Sequence, residues 1–228
     1  MTMHIPDGYL GPSTCGVMGA AILPVWAVAS KNVKKTLKAK QVPLLAMGAA
    51  FSFVIMMFNV PIPGGTTGHA VGGVLVALLL GPWAACIAIT VALVVQALLF
   101  GDGGITAIGA NCFNMAFVLP FAGYYIYKAI SINSSPDSPR RVIAAAIAGY
   151  LAINIAAACA GFEFGIQPLL YHEVSGHALY CPYGLNVALP AMLGEHLLVF
   201  GWVEALVTAL VLKYLQKQAP ELLYDGRT

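Results

Sequence analysis

Apolar residues fall in long uninterrupted runs separated by short polar or glycine- and proline-marked breaks. They occupy residues 13–30, 43–60, 83–100, 105–127, 142–160 and 188–212. Each run approaches the roughly 20 residues that a bilayer-spanning helix needs. A shorter run, 69–80, is bounded by Gly68 and by Gly81-Pro82, and as a helix it would reach only about 18 Å. The pattern predicts an all-α, polytopic membrane helix bundle of about seven transmembrane helices, with a structured N-terminal segment inserted into it. The whole chain reads as one membrane domain: residues 1–12 as an N-terminal segment, 13–213 as the bundle and 214–228 as a tail.

Composition supports this class. The 228 residues are 60% hydrophobic and 9% charged, against about a quarter charged in soluble domains. The first ten residues carry no Lys or Arg, so no cleavable signal is expected and the first apolar run should stay in the protein. Five cysteines at scattered positions make neither a disulfide framework nor a Cys-x-x-Cys pattern, and read as packing.

The placement of charge decides the topology. If 69–80 counts as a crossing, all 11 basic residues share one side: 31–40 with five lysines, 128–141, and the tail from Lys213. The opposite side holds the N-terminus, 61–68, 101–104 and 161–186, with Asp7, Asp102, Glu163 and Glu173 and no Lys or Arg. Because cytoplasmic loops collect basic residues, the expectation is a multi-pass protein of the inner or plasma membrane, N-terminus outside and C-terminus in the cytoplasm. That topology puts His4 and His69 on the same outer side, with Asp102, His172 and His177, and places His196 near the outer end of the last helix.

No G-x-x-x-x-G-K-[ST] phosphate loop occurs, so ATP-driven work by this chain requires a partner. The histidines His172 and His177 flank Glu173 five apart, missing the H-E-x-x-H spacing of a zinc protease. An intramembrane metalloenzyme built on these three, and an ATP-independent metal channel, remain as alternatives. Glu195, His196 and Glu204 in the last run are functional candidates by their position in an apolar span, or else make interhelical hydrogen bonds.

Three constellations carry candidate chemistry. In Met3-His4-Ile5-Pro6-Asp7-Gly8, Pro6 biases Ile5 toward extended backbone and Asp7-Gly8 signals a turn, so the segment holds a shape. A chain starting at Met3 would offer an amine, the His4 backbone nitrogen and the His4 imidazole to one metal, with His69 completing four nitrogens. A chain starting at Thr2 would offer an amine, two backbone nitrogens and the imidazole, with His69 axial. A retained Met1 completes neither ring set. Four planar nitrogens suit nickel(II) or copper(II) better than zinc. The competing reading makes His4 a solvated residue of a loose terminus.

The second constellation is the proline- and glycine-rich loop from Asn59 to His69, whose irregular backbone at membrane depth must line a cavity or be buried. The third runs from Gln96 to Asn114. Gln96, Asn111 and Asn114 must find partners inside the bundle, and with Asp102 they are candidates to orient the histidines rather than to ligate.

Met3-His4-Ile5-Pro6-Asp7-Gly8-Tyr9-Leu10, the Gly-Gly-Thr-Thr-Gly-His ending at His69, and Phe100-Gly-Asp-Gly-Gly-Ile together resemble the CbiM/NikM family. Its members are the substrate-capture components of energy-coupling-factor transporters for cobalt and nickel. The resemblance covers nearly the whole chain. It implies a non-enzymatic subunit that carries Ni2+, with Co2+ second, as transported substrate, without organic cofactor. The implied metal ligands lie in the N-terminal residues, Met3 and His4, and at His69; the residues read by themselves add Thr2 as alternative first donor and Gln96, Asp102 and Asn111 as candidates to support them. The implied partners are a transmembrane coupling protein, two cytoplasmic ATPases and a small extra membrane subunit, within the lipid bilayer and without nucleic acid. Family members normally begin at the Met-His pair, so Met1-Thr2 is a departure. A Gly16–Ala20 small-residue face on the first helix is a candidate contact for the coupling protein.

Overall fold

The computed structural model describes residues 1–62 and 66–224, apart from the Lys40 side chain; Pro63, Gly64, Gly65 and the last four positions of the predicted tail lie outside the described residues. Among the described residues, ten α-helical segments run in chain order. They are α1 (Pro12–Thr36), α2 (Val42–Met56), α3 (Gly73–Leu80), α4 (Pro82–Val95), α5 (Ile108–Asn111), α6 (Leu119–Ile130), α7 (Pro139–Gly165), α8 (Gln167–Leu170), α9 (Leu185–Glu195) and α10 (Gly201–Gln218). Wider π-helical turns continue α4 through Gln96–Phe100, join α5 to α6 through Cys112–Val118, and join α9 to α10 through His196–Phe200.

Proline and glycine set many of these starts. α1, α2, α4 and α7 carry a proline in their first turn, where its missing N–H costs nothing. Ser138 caps α7 by accepting from the Arg140 N–H at 3.2 Å. Gly81, at φ 82°, makes the sharp reversal between α3 and α4.

Among the described residues, four continuous helices are long and apolar enough to cross a bilayer: Pro12–Thr36, Pro82–Phe100, Pro139–Leu170 and Leu185–Gln218. Val42–Met56 is shorter. The expected short run is shorter still, since the helix begins at Gly73 and not at His69. Its seven largest side chains from Val74 to Leu80 are almost all buried, so α3 is a core element and not a lipid-facing one. The stretch before it, expected as a loop, is a two-stranded antiparallel ribbon of β1 (Val60–Ile62) and β2 (Thr66–Gly68).

The surface is inverted relative to a soluble protein. Leu99, Leu198, Val17 and Trp202 are exposed while Ser52, Gln96, Asn114, His196, Glu204 and Thr208 are fully buried. Lipid rewards that arrangement, because polar groups must be satisfied inside the bundle. The described basic groups gather at one end: Lys128 and Arg141 line a cleft with Tyr224, and Lys213 and Lys217 line another beside Asp137. This is an all-α membrane bundle.

Candidate metal centre

The N-terminal segment is not a tail. Met3 and Ile5 are fully buried and His4 is 1% exposed, which rules out the solvated-terminus reading. Backbone and side-chain bonds fix the segment along its length. Thr2 forms a parallel bridge beside Thr67, and the Thr67 N–H donates to the Met1 carbonyl at 3.0 Å, so the segment extends the β1–β2 ribbon. Asn111 donates to the Ile5 carbonyl at 3.0 Å and accepts the Ile5 N–H at 2.8 Å. The Gly104 N–H reaches the same carbonyl at 2.8 Å. Asp7 accepts from the N–H groups of Ile105 and Thr106 at 3.1 and 2.8 Å and from the Thr106 hydroxyl. The Cys181 N–H reaches the Tyr9 carbonyl at 3.0 Å, and Gln167 accepts from Gly11 at 2.9 Å.

The glycines of the 101–104 turn are steric requirements. A Cβ on Gly104 would fall 2.5 Å from the Asp7 backbone nitrogen, and Gly103, at φ 87°, passes beside His4 and the Asn111 amide. Backbone meets backbone here, which only glycine permits.

The fixed segment presents His4 to His69. Their imidazoles stack with centroids 4.5 Å apart and planes inclined by 27°. His69 is fully buried; its Nδ1 lies 3.0 Å from the Ala70 carbonyl, and its Nε2 has no hydrogen-bond partner among the described residues. Neither His4 nitrogen has a well-aligned hydrogen bond there either, although Nδ1 stands 3.3 Å from Asp102 Oδ2. A buried polar group left without a partner costs about 1–3 kcal/mol, so three such nitrogens in one place point to a ligand for them. Burial pushes the His4 pKa down to about 4, opposed by the neighbouring Gln96. A neutral imidazole is the form that binds metals. Burial likewise raises the Asp102 carboxyl above its ordinary range, while nearby His69 acts the other way.

The structure thus brings together His4, His69, Asp102, Gln96 and Asn111, with Met3 and Thr2 on the same N-terminal segment. Asn114 does not join them: its Nδ2 donates to Glu163 at 2.9 Å, on a different face. His172, Glu173 and His177 are exposed on a surface loop, where the Glu173 carboxylate accepts from Ser175, the Glu173 N–H donates to the His177 carbonyl and His172 faces the Pro168 carbonyl, and so they form no buried site. His196 lies fully buried within a continuous helix, its Nδ1 2.8 Å from the Met192 carbonyl, rather than at a helix end. No group of three or more His, Cys, Asp or Glu side chains suited to hold a metal occurs among the described residues. Side chains alone therefore do not complete a site around the two histidines.

Sequence reasoning did not find Thr106, Gln167 or Tyr171 as seats of the N-terminal segment. The Tyr171 hydroxyl accepts from the Ser13 N–H at 2.7 Å and also meets the Ser13 hydroxyl. Nothing local in the sequence marks these residues, since each acts across about a hundred positions or more of chain.

The chain is an all-helical membrane bundle with a buried histidine pair beside an inserted N-terminal segment, and the proteins it is similar to are metal transport proteins of that class. Residues 4–222 match the family described as CbiM, cobalt uptake substrate-specific transmembrane region, and the chain belongs to that family. It is 54% identical over 99% of its length to a probable fused nickel transport protein, LarMN, of Lactiplantibacillus plantarum, covering 68% of that protein. It is 53% identical, again over 99%, to the fused nickel transport protein NikMN of Rhodobacter capsulatus, covering 65% of it. The chain thus spans about two thirds of the length of these fused relatives. A putative metal transport protein of Methanocaldococcus jannaschii is 50% identical, with 96% of this chain and 94% of that protein aligned. Among solved structures, a truncated transition metal transporter superposes with a TM-score of 0.88 at 58% identity, over 93% of this chain and 97% of that one.

Proposed function

We propose that this chain is the substrate-capture subunit of an ATP-driven nickel importer, with cobalt as second substrate, and that His4 and His69 share one metal ion. The observation that carries the reading is the pair of stacked, buried imidazoles, three of whose four ring nitrogens lack a hydrogen-bond partner among the described residues. Two nitrogens that bind one ion at about 2 Å each lie within about 4 Å of one another, and rings 4.5 Å apart are compatible with that. The remaining donors are nitrogens of the N-terminal segment at Met3 and His4, or from Thr2 onward if the mature chain starts there. Donation by an amine and a backbone nitrogen favours a planar set, hence nickel over zinc.

The role of the protein is preorganisation. Asn111, Gly104 and Asp7 hold the segment so that binding costs little further ordering, and Asp102 beside His4 supplies negative charge next to the incoming cation. The basic end of the bundle is read as cytoplasmic by the positive-inside rule, which puts the histidine pair toward the outside. A transmembrane coupling protein and two ATPases would act at the basic end, with a small membrane subunit alongside.

Nickel titration of the purified chain tests the reading. Wild type should bind one equivalent, and His4→Ala and His69→Ala should each lose it while remaining folded. Binding of wild type and both variants alike, or of none, overturns the proposal. Uptake in cells lacking the ATPases would instead indicate a channel, and the mass of the mature N-terminus identifies the first donor.

A further inference from the structure

His69 lies between β2 and α3, followed by Ala70, Val71 and Gly72 before the helix begins. No helical hydrogen bond fixes the residues of this turn to the histidine. What holds the turn is a carboxylate from the far end of the sequence. Glu204 of α10, wholly buried, accepts from the Val71 N–H at 2.8 Å and the Gly72 N–H at 2.9 Å, both through Oε2. Gly72 adopts a left-handed conformation, φ 71°, and such a turn lets successive N–H groups converge on one anion. The same carboxylate faces the N-terminus of α3, whose unpaired N–H groups favour negative charge. A small-residue face on α7 makes the seat possible: a Cβ on Gly149 would come within 3.1 Å of the Glu204 carbonyl and 3.3 Å of the Ala205 backbone.

The other end of α3 is held by the segment that follows α10. The Tyr224 N–H donates to the Leu78 carbonyl at 2.9 Å, and the Tyr224 ring packs on Gly81. α3 is therefore pinned at one end by α10 and at the other by the segment that follows α10.

We propose that Glu204 is the positioning residue for His69: its carboxylate sets the 70–72 turn, and the turn sets whether the His69 imidazole meets that of His4. This rests on the reading that the two histidines share a metal. Glu204 bonds the backbone after His69 and not the imidazole, so its effect reaches the metal only through that placement. Glu204→Gln retains an acceptor oxygen for both N–H groups. Glu204→Ala leaves two buried donors unpaired and frees the turn.

The test uses the full chain in detergent, with Leu212→Ala on the same helix as a control for lost packing, because Leu212 is equally buried and lies below the turn. One readout is the nickel titration together with the visible absorption band of bound nickel. The other needs no metal: the rate at which His69 is modified by diethyl pyrocarbonate, read on its peptide by mass spectrometry. Glu204→Ala should weaken nickel binding by about tenfold or more, as loss of two buried hydrogen bonds implies, shift the band and speed the modification of His69. Glu204→Gln and Leu212→Ala should keep the wild-type band and modification rate. If Glu204→Ala leaves either the modification rate or, in a wild type that binds, the band and affinity unchanged, the inference is overturned; it is equally overturned if Leu212→Ala reproduces the changes. Should wild type bind no nickel, the metal reading fails, and the metal-free rate alone decides the role of Glu204.

Discussion

Asn111 holds Ile5 as a neighbouring strand would, accepting its N–H at 2.8 Å and donating to its carbonyl at 3.0 Å. One side chain on α5 thereby satisfies both backbone groups of the residue next to His4. Asn111→Ala should strand a buried N–H and cost about 1–3 kcal/mol. It should also weaken nickel binding, because His4 loses its fixed approach. Thermal unfolding and nickel titration of the same preparation check this, and a variant with wild-type affinity would show that Ile5 is held sufficiently by Gly104.

Gly104 allows the 101–104 turn to touch the Asp7 backbone. In Gly104→Ala the new Cβ would lie 2.5 Å from the Asp7 nitrogen and close to Pro6. Neither is a flexible side chain, so the N-terminal segment must move outward. The expected cost is about 1–3 kcal/mol, in the range of overpacked cores, with faster proteolysis before Pro12. Unaltered proteolysis and nickel affinity would contradict the close packing described for this turn.

Asp7 gives the structure an acid limit. The Thr106 hydroxyl, followed by the N–H groups of Thr106 and Ile105, holds the Asp7 carboxyl below its ordinary value. A carboxylate with a folded pKa lower than its unfolded one stabilises fully above the unfolded value and loses that contribution as pH falls through the folded one. Anchoring by Asp7 should therefore be intact at neutral pH and fade below about pH 4. Asp7→Asn should lower stability at pH 7 and flatten the acid dependence, measured as thermal midpoint against pH.

Nickel affinity should rise with pH, because donation by an amine and a backbone nitrogen releases protons. His4 titrates near 4, so its own protonation should contribute little to the slope between about pH 6 and 8. Affinity measured across that range in two buffers of different ionisation enthalpy reports the protons released. A pH-independent affinity would exclude the nitrogen donors of the N-terminal segment.

Much of the bundle was legible because lipid imposes local rules. Apolar runs had to be long enough to cross, prolines opened α1, α2, α4 and α7, and the positions of Lys and Arg placed His4 and His69 at the same end. The motif around each histidine was also local. The start of α3 was not: the His69–Gly72 stretch is apolar apart from its histidine and would suit a helix, but Glu204 and the left-handed Gly72 hold it as a turn. The polar side chains Asn111 and Asn114 lie three apart in one apolar run, yet one seats Ile5 and the other meets Glu163. Which way each faces depends on helix rotation within the bundle.

The sequence by itself determined that this chain lives in a membrane, where most of its helices begin, and which residues were chemically able to take a metal. Only the tertiary structure decided that His4 is buried against His69, that Thr2 bridges to Thr67 of the β1–β2 ribbon, and that a carboxylate on α10 bonds the turn after His69. The reason is one of range. Composition and periodicity report a residue's immediate surroundings, whereas the site is assembled from short hydrogen bonds between segments about a hundred residues apart, such as Ile5 with Asn111 and Val71 with Glu204.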